Sequence, residues 1–296
     1  MFKTLPKQSS SAMACIAASA CMDTEVGCQT LKTHDSEKLQ SLAKLLRCYR
    51  PPSFNGEIEN ANHDHVMMSS SNITKIMESV ATKERRAAVL VCLFEGPGGE
   101  LRVILTKRSM NLSSHPGEVA LPGGKVEEGD ADDSATALRE AMEEIGLDPS
   151  LVEVVANLEP FFSQHRVIVV PVVGLLSRIG DFKAAPNVDE VDAIFDAPLE
   201  MFIKEESHRC EEREWRSWKY TRHLFDYETE EQGGFLIGGL TASILIRAAS
   251  VIYQRSPPFT THHLDFQQLQ KTIIQNTLND SYDVVKDLTI YATQNA

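Results

Sequence analysis

The chain has 296 residues, 42% of them hydrophobic and 24% charged, a mix that suits one sizeable folded core and excludes wholesale disorder. Its formal net charge of −13 argues against an electrostatic grip on nucleic acid or on an anionic membrane, since both rely on clustered Lys and Arg. No run reaches the roughly 18 to 20 apolar residues that span a bilayer, and six cysteines without a CxxC pair read as reduced thiols rather than a disulfide framework or a zinc site.

Residues 1–80 are rich in Ser and small side chains, carry Pro51-Pro52, and read as a flexible extension outside the core. The first acidic residue is Asp23, as in a transit peptide, yet no Arg precedes Arg47; targeting segment and plain tail both stay open. Within this stretch, residues 36–48 space Leu39, Leu42, Leu45 and Leu46 for one amphipathic helix. A folded domain is expected over 81–256. It opens with a buried strand at 87–94, the turn Gly96-Pro97-Gly98-Gly99 and a second strand at 101–105. Further strands are predicted at 152–158, 167–175 and 190–195, with helices at 133–145, about 198–206 and 241–253. The charged stretch 204–216, with Trp215 in it and Trp218 just after, reads as a packed surface helix, and 257–296 as a polar tail. This alternation predicts an α/β fold, a mixed sheet packed between helices.

The segment from Gly123 to Leu147 carries the chemistry. A glycine turn is followed by an acidic helix start, with Asp132 or Asp133 placed to cap it and Gly146 placed to end it in the left-handed conformation. On a helical wheel Glu140, Glu143 and Glu144 fall within about 100° of arc, with Leu138, Ala141, Met142 and Ile145 opposite, so one face is expected to pack and the other to present carboxylates. Arg139 lies one turn before Glu143 and can pair with it. Like charges at Glu140 and Glu144 repel unless a hard cation such as Mg²⁺ binds between them.

This segment resembles the Nudix box, G-x5-E-x7-R-E-U-x-E-E-x-G-U with U aliphatic. Arg139-Glu140, Glu143-Glu144 and Gly146-Leu147 match its second half. Asp130 stands where the pattern has Glu, and eight residues rather than seven separate it from Arg139. The resemblance implies the Nudix fold, Glu140 and Glu144 as principal ligands of Mg²⁺ or Mn²⁺, Glu143 as a third ligand or water-positioning base, and Glu190, in an acidic loop, as general base. Gly123, Arg139 and Gly146 would be structural.

Upstream, Ile104 to Gly124 is similar to the signature of coenzyme A Nudix hydrolases, L-L-T-x-R-[SA]-x3-R-x3-G-x3-F-P-G-G, matching at Thr106, Arg108, Ser109, Gly117, Pro122, Gly123 and Gly124. Ile104, Ser113 and Leu121 depart from it. That likeness implies hydrolysis of coenzyme A and acyl-CoA to 3′,5′-ADP and (acyl-)4′-phosphopantetheine, with Arg108, Lys107 and Gly124 binding the small-molecule substrate. His115 is kept only as a substrate contact to test. The resemblance spans about residues 86–256 and extends to plant organellar members, implying a mitochondrial location, with cytoplasm or plastid as alternatives; a homo-oligomer stays open. Two rival readings remain: a Nudix hydrolase preferring ADP-ribose, NADH or another nucleoside diphosphate derivative, and a catalytically silent Nudix-like binding module.

Overall fold

The computed structural model describes residues 36–51, 86–163, 167–215 and 218–259. Helix α1 (Glu37–Arg47) begins at Ser36, whose Oγ accepts from the Leu39 N–H, with Glu37 in its first turn and Lys44 and Arg47 in its last, signs that complement the helix dipole. Leu39, Leu42, Ala43 and Leu46 are buried against the domain while Leu45 is exposed. The expectation that everything before residue 80 lies outside the core therefore fails for this helix. Tyr49 just beyond it donates to Glu159 at 2.7 Å and accepts from Arg247 at 3.1 Å, which ties the segment to two distant parts of the chain.

The main sheet is built on β1 (Arg86–Glu95) and β2 (Leu101–Arg108), joined by the predicted glycine turn, where Gly99 sits at φ 78°. Its other strands are β3 (Val119–Ala120), β4 (Gly123–Lys125), β5 (Val152–Asn157), β6 (Phe161–Phe162), β7 (Ile168–Leu176) and β8 (Val191–Pro198). The order runs β3-β2-β1-β7-β5, with β8 on β2, β4 on β1 and β6 on β7. Among the described residues of this sheet, only the β1–β7 pairing is parallel. Strands β1 and β2 pair over Leu93–Val103, Phe94–Arg102 and Glu95–Leu101 and then diverge. The gap is filled by the short strands, β4 on Ala87 to Val89 and β3 on Thr106 and Lys107. This split positions the site, because the Gly123-Gly124 pair lies inside it.

Helix α2 (Asp133–Ile145) covers one face of the sheet, packing Ala137, Ala141 and Ile145 on Ala88, Leu90, Cys92 and Ile104. The other face takes α1 and α3 (Gly239–Tyr253), whose Ala242, Leu245, Ala249 and Ile252 join Val91, Leu93, Val103 and Leu105. The mixed sheet between helices is the predicted architecture. Cys48, Cys92 and Cys210 are all free thiols, and among the described residues no helix is long and apolar enough to cross a membrane.

Two expectations in the second half need correction. The helix expected near 198–206 is a short 3-10 turn, Leu199–Ile203, and the expected surface helix at 204–216 is instead strand β9 (His208–Trp215). It pairs with β10 (Trp218–Thr229), which pairs with β11 (Gly233–Gly238), making a second sheet of three strands. The charged stretch was expected to be a packed surface helix, but among the described residues β9 is a terminal strand of that sheet, a position where charged side chains suit an exposed backbone edge. Phe235 stacks on Phe195 of β8 at 3.8 Å, and the Gln232 side chain donates to the Ile194 carbonyl, docking the second sheet on the first.

Candidate active site

Helix α2 starts where the sequence places it. Asp132 is the N-cap, its carboxylate accepting from the Ala135 N–H at 2.8 Å, and Gly146 closes the helix at φ 71°, ψ 23°. Asp133 is free for another task and receives both Arg86 Nε and Nη2 at 2.6 Å, a two-pronged ion pair fastening the helix start to β1.

The wheel reading of this helix is half right. Its buried residues are Thr136, Ala137, Ala141, Glu144 and Ile145, whereas Met142, expected to pack, is exposed. Glu144 thus lies near the middle of the buried arc and is only 5% exposed. The reason is the glycine pair beneath it. The Gly123 N–H donates to Glu144 Oε2 at 3.2 Å, and a Cβ on Gly124 would fall 2.4 Å from Glu140 Oε1, so the bare backbone at 123–124 makes the hollow both carboxylates occupy. Burial pushes the Glu144 carboxyl up to about 7, with the neighbouring charges of Glu140 and Glu190 adding to it and Gly123 and Arg108 opposing. Glu140 is raised by the same desolvation, against the pull of Arg139.

Arg139 organises the flank of the site. It donates to both oxygens of Asp130 at 3.0 and 3.1 Å, to the Lys125 carbonyl at 3.0 Å and to Glu143 at 3.0 Å, and it pairs with Glu140 at 3.1 Å. Asp130 is the deepest of these partners. Its side chain also accepts from Thr136 Oγ1 and from the Glu127 N–H, and hydrogen bonding to Arg139 holds its carboxyl well below the usual range. Asp130 therefore braces the loop before α2. Glu143 is 54% exposed beside Arg139, and among the described residues no three acidic, His or Cys side chains form a preassembled metal cluster.

The signature segment folds as the β2–β3 hairpin. The Arg108 N–H donates to the Glu118 carbonyl and the Gly117 N–H to the Arg108 carbonyl, which sets Arg108 at its neck, with the Arg108 Nε pointing at the Ser114 carbonyl, 3.4 Å away. Register separates the two expected cations. Lys107 stands opposite Val119 and Ala193, on the α1/α3 face, while Arg108 follows Thr106 and Ile104 onto the α2 face, where its charge acts on Glu144. Lys107 is thus not brought to the carboxylates. Gly124, expected to touch substrate, leaves room for the Glu140 carboxylate by having no side chain. His115 is exposed at φ 53° and contacts Glu118 at 2.9 Å.

Glu190 arrives from the loop before β8 and is close enough for its charge to act on Glu144. Two backbone bonds tie that loop to the end of α2, Ala185 N–H to the Ile145 carbonyl at 2.8 Å and Asn187 N–H to the Glu144 carbonyl at 2.9 Å. A third joins it to the hairpin, from the Ser109 N–H to the Glu190 carbonyl at 2.8 Å. Ser109 is fully buried, and its Oγ accepts from the Asn111 N–H.

The NUDIX domain matches residues 84–223 of this chain. Over 230 residues the chain is 54% identical to Nudix hydrolase 22, chloroplastic, of Arabidopsis thaliana, a match covering 76% of each protein. The chain belongs to the Nudix family. It is also 63% identical over 177 residues to Nudix hydrolase 15, mitochondrial, of the same plant, covering 60% of this chain and 62% of that one. With the Mus musculus protein named peroxisomal coenzyme A diphosphatase NUDT7 it shares 41% identity over 163 residues, 55% of this chain and 68% of the mouse protein.

Within this Nudix domain the site draws on four separate pieces of chain: the α2 carboxylates, the 123–124 glycines, Arg108 and Glu190. Their oxygen-rich, partly desolvated donor set is the kind a hard divalent cation takes, and the bare Gly124 backbone leaves the Glu140 carboxylate its place. Asp130, Ser109 and Asn187 carry roles that sequence reasoning missed. For Asp130 the signal was available, since it precedes Arg139 in a motif where an acid is expected. For Asn187 the local turn to Asp189, Glu190 and Val191 carried no sign of its partner on α2, because the bond from its N–H runs to the carbonyl of Glu144, distant in sequence.

Proposed function

We propose that this Nudix hydrolase cleaves the diphosphate bond of coenzyme A and acyl-CoA derivatives, giving 3′,5′-ADP and (acyl-)4′-phosphopantetheine. The observation that carries the reading is the hairpin from Thr106 to Gly124, which bears the coenzyme A signature and delivers both Arg108 and the glycine pair to the α2 carboxylates. The mouse relative named as a coenzyme A diphosphatase supports the same substrate class.

Glu140 and Glu144, with Glu143 on their exposed flank, are the residues that would hold Mg²⁺ or Mn²⁺. When bound, such a cation supplies charge neutralisation along the diphosphate and eases attack at phosphorus. Glu190 accepts a proton on its carboxylate as the water oxygen bonds to phosphorus, the bridging P–O bond breaks and the second phosphate departs as an oxyanion. Arg108 offers a planar donor fork to a substrate phosphate, and we assign it the 3′-phosphate of the ribose.

Incubating the purified protein with Mg²⁺ and a panel of coenzyme A, dephospho-coenzyme A, acyl-CoA, ADP-ribose and NADH, then separating the products, tests the reading. Release of 3′,5′-ADP with the highest kcat/KM on coenzyme A or acyl-CoA is expected. Preference for ADP-ribose or NADH would transfer the chain to the rival substrate class, and no turnover of any of them would favour a binding module. For location we propose the mitochondrion, on the acid-poor N-terminal composition and the organellar names of the plant relatives. Fusing residues 1–80 to a fluorescent protein should direct it there, and plastid or cytoplasmic signal would overturn the assignment.

A further inference from the structure

From the bonds around residues 185–191 we infer that Asn187 is a positioning residue, the piece that holds Glu190 in a fixed relation to Glu144. The inference rests on the proposed role of Glu190 as general base. Asn187 makes its contacts with both ends of that relation. Its N–H donates to the carbonyl of Glu144 itself, at 2.9 Å. Its own carbonyl accepts from the Glu190 N–H at 2.9 Å and from the Val191 N–H at 2.8 Å, which closes a turn over Val188 and Asp189 and delivers Glu190 to the start of β8. Its side-chain Oδ1 accepts from the Asp189 N–H at 3.2 Å, fixing the inside of that turn.

Two further bonds limit how the turn can move. Ala185 is held to Ile145, and a Cβ at Gly146 would strike Ala185 Cβ at 2.8 Å, so the loop runs flush over the helix end. On the far side the Ser109 N–H fixes the Glu190 carbonyl to the strand that carries Arg108. The backbone bonds set where the loop lies, and the Asn187 amide oxygen sets the shape of the turn between them. Removing that acceptor leaves Asp189 N–H without its partner and loosens the two residues that lead to Glu190. A base displaced by a fraction of an ångström loses rate without loss of substrate binding.

Five forms of the full chain test this with coenzyme A and Mg²⁺: wild type, Asn187→Ala, Asn187→Asp, Glu190→Gln and the Asn187→Ala/Glu190→Gln double variant. Asn187→Ala is expected to lower kcat about tenfold with KM within about twofold, while Asn187→Asp, which keeps an acceptor at Oδ1, stays within about threefold of wild type. In the Glu190→Gln background, adding Asn187→Ala should change kcat by less than about twofold, because there is no base left to misplace. Amide hydrogen exchange followed by mass spectrometry should show Asn187→Ala exchanging faster over 187–190 and unchanged over β8. If Glu190→Gln lowers kcat but Asn187→Ala is additive with it, or leaves kcat alone, the positioning role is overturned while Glu190 keeps its role. If Glu190→Gln has no effect, the general-base reading falls and the inference with it. Failure of Asn187→Asp to recover activity would also overturn it.

Discussion

Glu144 concentrates the electrostatic tension of the site, a buried carboxyl on which the charges of Glu140 and Glu190 act. Glu144→Gln is expected to keep the fold and to lower kcat by at least about a hundredfold, since it removes a charged donor at the point where negative charge must be balanced. The same substitution should alter stability in a pH-dependent way. The folded metal-free chain raises this carboxyl from 4.5 to about 7, so it holds that proton more tightly than the unfolded chain does. The resulting stabilisation is complete below about pH 4.5 and is lost as pH rises through 7, a span of about 3 kcal/mol. Melting curves in a chelator should therefore fall between about pH 5 and pH 8 for wild type and fall less for Glu144→Gln; parallel curves would sink the argument. The glycines beside it should differ from each other. A Cβ at Gly123 would lie 2.3 Å from the Ala88 carbonyl and 2.6 Å from Val89 Cα, both backbone, so Gly123→Ala should cost about 3 kcal/mol or prevent folding. For Gly124→Ala the three nearest atoms all belong to the movable end of Glu140, so it should fold with a near-normal melting temperature and lose most of its activity. Arg108→Ala should reduce kcat/KM for coenzyme A by roughly 1.5 to 3 kcal/mol and spare dephospho-coenzyme A, as removal of a charge-assisted bond to the 3′-phosphate requires. Equal losses on both substrates would reassign Arg108 to the scissile diphosphate.

At the scale of elements, α1 behaves as part of the domain although a long stretch of chain separates it from β1. Leu46 is 1% exposed in the face that meets the core, so Leu46→Ala should cost about 2 to 4 kcal/mol, read from denaturant midpoints. Deleting residues 1–35 is expected to leave turnover intact, whereas deleting 1–48 should give an unstable product. Equal behaviour of the two truncations would show that α1 contributes nothing. The amphipathic spacing of Leu39, Leu42 and Leu46 was readable in sequence, and so were the caps of α2. What the spacing could not supply was the partner surface. Glu144 illustrates this: the residue was legible as a motif position, but its burial depends on glycines about twenty residues earlier meeting the helix in space. Strand β9 shows the converse, where Arg and Glu in dense succession gave no periodic apolar signal and only pairing with β10 makes them a strand.

For the whole molecule, metal binding and pH should be linked. Coordination needs ionised carboxylates, and protons compete for a group held near 7. Adding Mg²⁺ is therefore expected to raise the melting temperature clearly at about pH 8 and little at about pH 5.5, with the effect abolished in Glu144→Gln. A pH-independent increase would point to nonspecific screening of the net charge of −13 instead.

The sequence by itself pointed to the reaction class through its resemblance to the Nudix box, because the glycine pair before α2 and the Arg-Glu, Glu-Glu and closing-glycine positions along it are local features legible at fixed spacing. It also determined that the middle of the chain is a mixed sheet between helices, since hydrophobic periodicity is local too. The tertiary structure alone decided which carboxylate is buried, which of Lys107 and Arg108 shares a face with it, and how Asp130 and Asn187 brace the site. Those outcomes depend on where β1 and β2 separate and on backbone bonds between the end of α2 and the loop before β8. Contacts between segments so far apart leave no periodic trace in the chain, because each depends on what the other segment presents.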